Sequence, residues 1–257
     1  MESIYTEDLF DFDNRRNRMN TLTGISSIDF NVFEEAISKL EDDFNNKVTN
    51  ARSQSQKLQD SLSNYVEENS GVPTTEDLET FNKMSEHEYN HYLFSNYAVA
   101  LAEMKVIYLF KSLEINMKNL IRTAYPNIST KGLYKWDNMV SYFKSIDIEI
   151  SLITGYLEAT ELRKVNNCIK HSDLISEEVK KIREFDSLSE FDSDCLILFY
   201  ERTKDRIKEF FKELTDLVVK DLFEFDDKRI EAISSKYNNR MDKVMLKKFI
   251  DSLNNHL

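Results

Sequence analysis

Glycine and proline are scarce in this chain, which contains 4 glycines and 2 prolines among 257 residues. These two residue types form many tight turns, so their scarcity argues against a β fold with many strand connections. A backbone that closely approaches a phosphate also needs several glycines within a short span. The glycines here are dispersed singly, at Gly24, Gly71, Gly132 and Gly155. The sequence therefore predicts a helical protein without a glycine-rich nucleotide loop.

The composition is typical of a soluble globular protein, with 41% hydrophobic and 31% charged residues. The longest apolar stretch, residues 98–110, contains Glu103 and Lys105, so no membrane span is predicted. The acidic N-terminus lacks the basic and apolar segments of a secretion signal, which favours a cytosolic location. Cys168 and Cys195 show no CxxC spacing and are expected to be reduced, structural thiols.

The net charge of −12 is distributed unevenly along the chain. Residues 228–257 contain seven Lys or Arg against three Asp or Glu, a local charge of +4, which leaves −16 on the remaining residues. A uniformly acidic surface would repel nucleic acid, so this asymmetry matters for any prediction of RNA binding. The basic segment is either an arm for an acidic partner or a solvated helix face.

Apolar residues recur every three or four positions along most of the chain, which predicts an all-α fold. The strongest helix is predicted from about 85 to 124, and its apolar stripe is expected to form the spine of the core: Val106, Phe110, Leu113, Met117, Leu120 and Ala124. Gly71 and Pro73 end the preceding helix, and Thr74 or Thr75 can cap the next one.

This pattern divides the chain into three expected parts. An N-terminal helical extension covers residues 1–84, a helical bundle covers 85–225 and a basic C-terminal helix covers 226–257. The C-terminal helix is expected to pack on the bundle or to contribute to a dimer.

The segment from residue 161 to 173 places polar side chains on one helical arc. At 100° per residue, this arc borders the apolar face of the same helix and contains Arg163, Asn166, Asn167, Lys170 and His171. Cations can offset phosphate charge, amides can orient it by hydrogen bonds, and an imidazole can exchange a proton near neutral pH. The arc, with Lys164 beside it, is a candidate site for binding and cleaving a phosphodiester. The open alternative is an ordinary helix end whose cations complement the helix dipole.

Two segments resemble the HEPN superfamily of helical bundles, which includes toxin, CRISPR-associated and phage-defence proteins. Residues 102–122 contain the sequence LEINMK and resemble the family's first core helix with its LExxxK signature. Residues 162–172 resemble the helix that carries the family's Arg and His. Together with the helix between them, the similarity covers roughly residues 90–220.

The resemblance implies a metal-independent ribonuclease without a cofactor, formed between two protomers and acting as a toxin-like effector in prokaryotic defence. It implies that His171 transfers a proton at a ribose 2′-hydroxyl or at the leaving oxygen, while Arg163 or Lys170 stabilises charge on the phosphate. Glu114 is the candidate carboxylate to orient Arg163 or His171, or else it faces solvent. The expected partners are a second copy of the chain, RNA, and a cognate antitoxin or other defence protein, with no membrane.

The spacing of the motif departs from the family pattern, in which Arg and His lie four to six residues apart. Seven residues separate Arg163 from His171 here. Alignment on Asn167 and His171 reproduces the common Arg-Asn-x-x-x-His pattern but places Asn166 at the arginine position. The alternative function is therefore a non-catalytic HEPN-like module for dimerisation or partner binding.

The sequence HEYNH matches the HExxH zinc motif. His87 and His91 would face the same way on a helix and can share a zinc ion, with Glu88 as the general base of a peptidase. Glu103 or Glu114 can be considered as a third ligand. Zinc peptidases of this kind hold the motif beside a substrate-binding sheet, and no sheet is predicted here, which leaves a zinc peptidase as the remote alternative.

Overall fold

Eight α-helices, one short 3₁₀ turn and no strand form the regular structure of the residues described by this computed structural model, which are 12–29, 34–68, 74–125, 132–133, 135–172 and 174–255. The predicted all-α fold is confirmed. The helices are α1 (Phe12–Asp29), α2 (Glu34–Glu68), α3 (Thr75–Ala124), α4 (Trp136–Ser145), α5 (Tyr156–His171), α6 (Ser193–Phe223), α7 (Asp227–Asn238) and α8 (Lys243–Asn254), with the 3₁₀ turn (Ile150–Leu152) between α4 and α5.

The longest helix, α3, has 50 residues and begins with a capping box. The Thr74 hydroxyl accepts a hydrogen bond from the Asp77 backbone N–H, and the Asp77 carboxylate accepts one from the Thr74 N–H at 2.6 Å. The predicted cap at Thr74 is thus confirmed, and α3 begins at Thr75, about ten residues before the predicted start at about residue 85. All members of the predicted stripe are buried: Val106, Phe110, Leu113, Met117, Leu120 and Ala124.

Within the described part of the chain, α3 is also the helix that is long and apolar enough to cross a membrane. An 18-residue window in it has a mean hydropathy of 1.3, and 33% of that window is buried. The core helix of a soluble protein passes the same test, so length and composition alone are weak evidence for a span. The absence of a membrane partner stays a prediction.

The N-terminal helices pack on α3, where α2 runs beside it and α1 also contacts it. Lys105 of α3 forms a buried ion pair with Glu41 of α2, with side-chain exposures of 4% and 9%. The same ammonium lies 5.1 Å from the centre of the Tyr200 ring of α6. Because a buried charge is costly without a partner, this contact fixes α2 against the bundle.

Gly155 positions the start of α5. Its φ of +83° lies in the left-handed region, and an added Cβ would lie 2.3 Å from the backbone oxygen of Arg206 in α6. Only glycine fits this close approach between the beginning of α5 and the side of α6. The helix then packs on α3 and on the 3₁₀ turn, which α4 also contacts.

Arg202 of α6 links its own helix to α5 and to the irregular segment between these two helices. Its guanidinium donates to both carboxylate oxygens of Glu184, at 2.7 and 3.0 Å, and to Glu161 of α5 at 2.8 Å. Burial by itself would raise the pKa of Glu184, but the hydrogen bonds from Arg202 and Arg183 hold this pKa below its ordinary value. The irregular segment between α5 and α6 is therefore tied to both helices.

Both cysteines are free thiols, as predicted. Cys168 is buried on α5, where its Sγ accepts a hydrogen bond from the Ser176 backbone N–H at 3.4 Å. Burial and the neighbouring Asp192 raise the pKa of the Cys195 thiol to about 11. A raised pKa favours the protonated thiol of Cys195 near neutral pH, and the thiol is a weaker nucleophile than the thiolate.

The chain divides into two compact units between Thr215 and Asp216, within α6. The smaller unit contains α7 and α8, where the sequence predicts a single basic helix. The two helices are separate because Asp242 caps α8 by accepting hydrogen bonds from the backbone N–H groups of Val244 and Met245. Neither α7 nor α8 has a buried residue.

Candidate functional site

The polar arc predicted on α5 lies along one cleft of about 360 Å³, called the α5 cleft below. Its lining includes all five members of the arc: Arg163, Asn166, Asn167, Lys170 and His171. The rest of the lining comes from α3 and from the beginning of α4: Phe110, Glu114, Lys135, Trp136, Asp137 and Met139. The helical spacing in the sequence therefore brings these five residues to one place in the structure.

The position of the arc follows from the apolar face of α5. Leu162 and Val165 are fully buried and anchor α5 in the core. Asn166, on the side of the arc nearest to them, is only 1% exposed, whereas Lys170 and His171 are exposed at the end of the helix. The α5 cleft thus contains a buried amide at one side and an exposed imidazole at the other.

Cations outnumber carboxylates in the α5 cleft. Lys135, Arg163 and Lys170 face Glu114 and Asp137. The negative end of the helix dipole stabilises Lys170 at the last turn of α5 but opposes a bound anion, so any attraction for an anion comes from the three cations. In a chain with a net charge of −12, the α5 cleft is a local position that can attract an anion.

The structure does not pair Glu114 with either of its predicted partners, Arg163 or His171. The Glu114 carboxylate instead accepts a hydrogen bond from Lys118 at 2.6 Å, because residues four apart on α3 are neighbours. The carboxylate nearest Arg163 belongs to Asp137, with 3.6 Å between Arg163 Nη1 and Asp137 Oδ1. Sequence reasoning missed Asp137, although it immediately follows Trp136 on the helix predicted to lie between the two HEPN-like segments.

Two buried polar atoms of the α5 cleft have no hydrogen-bond partner among the described residues: Arg163 Nε and Asn166 Oδ1. The Asn166 amide donates through Nδ2 to Asn167 Oδ1 at 3.2 Å, which leaves its oxygen as the unused acceptor. Buried polar groups ordinarily have a partner. One unused donor and one unused acceptor are therefore buried in the wall of the α5 cleft, on residues one helical turn apart.

A neighbouring cleft of about 390 Å³ lies along the other side of the arc. Arg163, Asn167 and His171 line both clefts, and Lys164 lines only the neighbouring one. Of the predicted phosphate contacts, Lys164 is thus the one that the structure does not place in the α5 cleft.

The HEYNH segment lies within α3 and is far from both proposed third ligands. His87 and His91 are partly buried, and Glu88 is exposed. At about 1.5 Å per residue along a continuous helix, Glu103 lies ~18 Å and Glu114 ~35 Å from His91. Within the described ranges, no three His, Cys, Asp or Glu side chains come together as potential ligands of one metal ion. Neither glutamate can therefore complete a zinc site with these histidines.

No known protein family matches the chain, and no curated protein or solved structure matches it either. The function therefore has to be inferred from the geometry of the α5 cleft and from the resemblance of the two helical segments.

Proposed function

We propose that this chain is a HEPN-like endoribonuclease that cleaves RNA at the α5 cleft. One observation carries the proposal: the cation, amide and imidazole groups that the sequence places on one arc line a single cleft. Cleavage of a phosphodiester by general acid–base chemistry requires a proton-transfer group beside groups that stabilise the phosphate. His171 supplies the first function, and Arg163 with Lys170 supplies the second.

In this mechanism the ribose 2′-oxygen attacks the adjacent phosphorus and the bond from phosphorus to the 5′-oxygen breaks. The 2′-hydroxyl loses a proton to a base, and the leaving 5′-oxygen gains one from an acid. The products are a 2′,3′-cyclic phosphate and a 5′-hydroxyl. Since no metal ion takes part, the cations of the α5 cleft have to stabilise the charge that develops on the phosphate.

The mechanism needs both a base and an acid, and His171 is the histidine that the described residues contribute to the α5 cleft. One imidazole can accept a proton or donate one, but it cannot begin in both states. In the proposed homodimer, as in the HEPN proteins that the chain resembles, the second copy of the chain would supply the other group. The resemblance to HEPN proteins further supports a cytosolic, toxin-like role in prokaryotic defence with a cognate protein partner.

A second candidate function is a non-catalytic HEPN-like module for dimerisation or partner binding. The contact between Arg163 and Asp137 favours it, because a guanidinium that faces a carboxylate is less available to a phosphate. The irregular spacing of Arg163 and His171 is also consistent with a non-catalytic module.

Cleavage of single-stranded and structured RNA by the purified full chain tests the first proposal. We expect cleavage in the presence of a metal chelator and at least about a 100-fold lower rate for His171→Ala, which is the usual contribution of a general acid or base. The matched control is His91→Ala, because His91 lies on α3 outside the α5 cleft. Its rate should equal that of the wild type.

Two results would overturn the proposal: no cleavage of RNA by the wild type, or equal cleavage by wild type and His171→Ala. RNA binding or self-association without cleavage would support the non-catalytic module instead. Light scattering on the same sample measures the oligomeric state, and a strict monomer that still cleaves RNA would contradict the shared active site.

A further inference from the structure

We infer that the α5 cleft selects ribose over deoxyribose, with the Asn166 carbonyl oxygen accepting a hydrogen bond from a 2′-hydroxyl and Arg163 Nε donating to a neighbouring phosphate oxygen. The inference rests on the proposed function, since it assumes that the occupant of the α5 cleft is a nucleic acid. It assigns Asn166 the role of a specificity-determining residue, distinct from proton transfer by His171.

The surroundings of Asn166 leave one of its polar atoms unused. Its side chain is almost completely buried yet lines the α5 cleft. Its Nδ2 is used by the bond to Asn167, so the group left for a ligand is the Oδ1 acceptor. An acceptor in this position favours a ligand that brings a hydrogen-bond donor, and a phosphodiester or a carboxylate brings none at neutral pH.

An unused donor, Arg163 Nε, lies one helical turn away from Asn166. Arg163 and Asn166 are three residues apart on α5, so their Cβ atoms are neighbours at ~5–6 Å. Asp137 approaches Arg163 at Nη1, which leaves the buried Nε as the unused donor. The α5 cleft thus favours a ligand with an acceptor and a donor a few ångströms apart.

A ribonucleotide has this pair of groups, because its 2′-hydroxyl lies beside the 3′-phosphate. The 2′-hydroxyl is also the group by which proteins distinguish RNA from DNA at a given site. DNA keeps the phosphate acceptor but lacks the 2′-hydroxyl donor. Of these two nucleic acids, RNA is therefore the one whose sugar–phosphate backbone can satisfy both Asn166 Oδ1 and Arg163 Nε.

The arrangement also identifies which ribose is recognised. A hydroxyl whose proton is held by Asn166 does not offer that proton to a base. The ribose that Asn166 binds is therefore different from the one whose 2′-oxygen attacks phosphorus. Recognition and cleavage thus use two ribose groups of the same strand. Arg163 Nε binds the phosphate of the recognised ribose, and Lys170 is then the cation that contacts the scissile phosphate.

Binding measurements with three strands of one sequence test the inference: single-stranded RNA, the corresponding DNA, and 2′-O-methyl RNA, which keeps the oxygen but lacks the donor. The full chain carries His171→Ala so that bound RNA is not cleaved, and fluorescence anisotropy gives the affinities. We expect RNA to bind about tenfold more tightly than DNA, as one hydrogen bond to a buried acceptor allows. The 2′-O-methyl strand should bind as weakly as DNA.

The variant Asn166→Leu, made in the same background, removes the acceptor at similar volume. It should lower the affinity for RNA to that for DNA and leave the affinity for DNA unchanged. The matched control is Asn116→Leu, which replaces a buried asparagine of α3 that does not line the α5 cleft. This control should keep the tenfold preference, and thermal unfolding shows whether each variant is folded.

Equal binding of the three strands, or a ribose preference that survives Asn166→Leu, would overturn the inference. The comparison of the three strands does not depend on any substitution at Asn166, so it decides the question even if Asn166→Leu does not fold. Cleavage of RNA by the wild type without a preference in binding would overturn this inference alone. Absence of both cleavage and binding would overturn the proposed function as well.

Discussion

The α5 cleft and the helix pair α7–α8 are both rich in cations, but the structure uses these charges differently. On α5, buried residues such as Leu162 and Val165 anchor the helix, and the polar arc borders them. Neither α7 nor α8 contains a buried residue, although the C-terminal segment carries more Lys and Arg than the α5 cleft. The C-terminal segment therefore has the larger number of cations, whereas the α5 cleft has cations on a helix that packing holds in a fixed position.

This difference indicates what makes a charged segment a candidate site. A solvated cation attracts anions over a distance that salt shortens, and it discriminates little between them. In the α5 cleft, the positions of donors and acceptors are set by packing, so they can match one ligand geometry. On α7, Arg229 has a structural use, because its guanidinium donates to the backbone oxygens of Lys220, Asp221 and Glu224 at the end of α6.

The largest expected effect comes from a substitution at the start of α5. Gly155→Ala adds a Cβ that meets the Arg206 backbone oxygen at 2.3 Å, at a φ that L-residues rarely adopt. We expect the free energy of unfolding to fall by about 3 kcal/mol or more. Urea denaturation monitored by circular dichroism measures this loss.

The matched control for this substitution is Gly24→Ala, since an added Cβ at Gly24, inside α1, meets no atom within 4 Å. It should leave stability unchanged or raise it by up to about 1 kcal/mol, because alanine is the better helix former. Equal behaviour of the two variants would contradict the claim that the close approach of α5 to α6 requires glycine at position 155.

The next largest effect concerns the Glu184 carboxylate, which accepts hydrogen bonds from Arg202. Because the pKa of Glu184 is lower in the folded protein than its ordinary value, ionised Glu184 stabilises the fold. This stabilisation is fully present above the ordinary Glu pKa and is lost as pH falls through the lowered pKa. Glu184→Gln should therefore cost on the order of 2 kcal/mol at neutral pH, with a cost that shrinks toward zero in acid.

Urea denaturation of wild type and Glu184→Gln at several pH values from neutral to about pH 3 measures this difference. Glu201→Gln is the control, because the exposed Glu201 pairs with the partly buried Lys204 in an i,i+3 contact on α6. Such a surface pair is expected to contribute less than about 0.5 kcal/mol. A Glu184 effect that does not depend on pH would show that the Arg202 contact is not electrostatic in origin.

The smallest effect compares one lysine from each cationic region. Lys170→Ala should weaken RNA binding about three- to fivefold, because Lys170 lines the α5 cleft beside the proposed phosphate position. Lys247→Ala, on the exposed α8, should change the affinity by less than about twofold. Anisotropy titrations at two salt concentrations measure both effects, and a larger loss for Lys247→Ala would place the main RNA contact on α8.

Local sequence signals predicted the fold well. Helical periodicity predicts the all-α architecture and the buried stripe of α3, and Thr74 predicts its cap. The burial of Asn166 could also have been inferred, because at 100° per residue it lies about 40° from Leu162 on the helical wheel. The break between α7 and α8 has a signal too, since Asp242 is a favourable N-cap residue.

Contacts between distant residues were not predictable from one sequence. The Glu41–Lys105 pair joins residues 64 positions apart, and the Arg163–Asp137 contact depends on how α4 packs beside α5. Helical spacing places a residue on a face of its own helix but says nothing about which other helix covers that face. For this reason the members of the polar arc were predictable, whereas the carboxylate beside Arg163 was not.

The Glu41–Lys105 pair has a consequence for how the protein can be divided. A fragment that begins at α3 would keep the Lys105 ammonium inside the packed helices, beside the Tyr200 ring, but would lose its counter-ion. Such a fragment would have to admit water or repack around an uncompensated charge. Helix α2 therefore supplies the negative charge that balances Lys105 in the core. A chain without the N-terminal helices would not keep the packing around Lys105 unchanged.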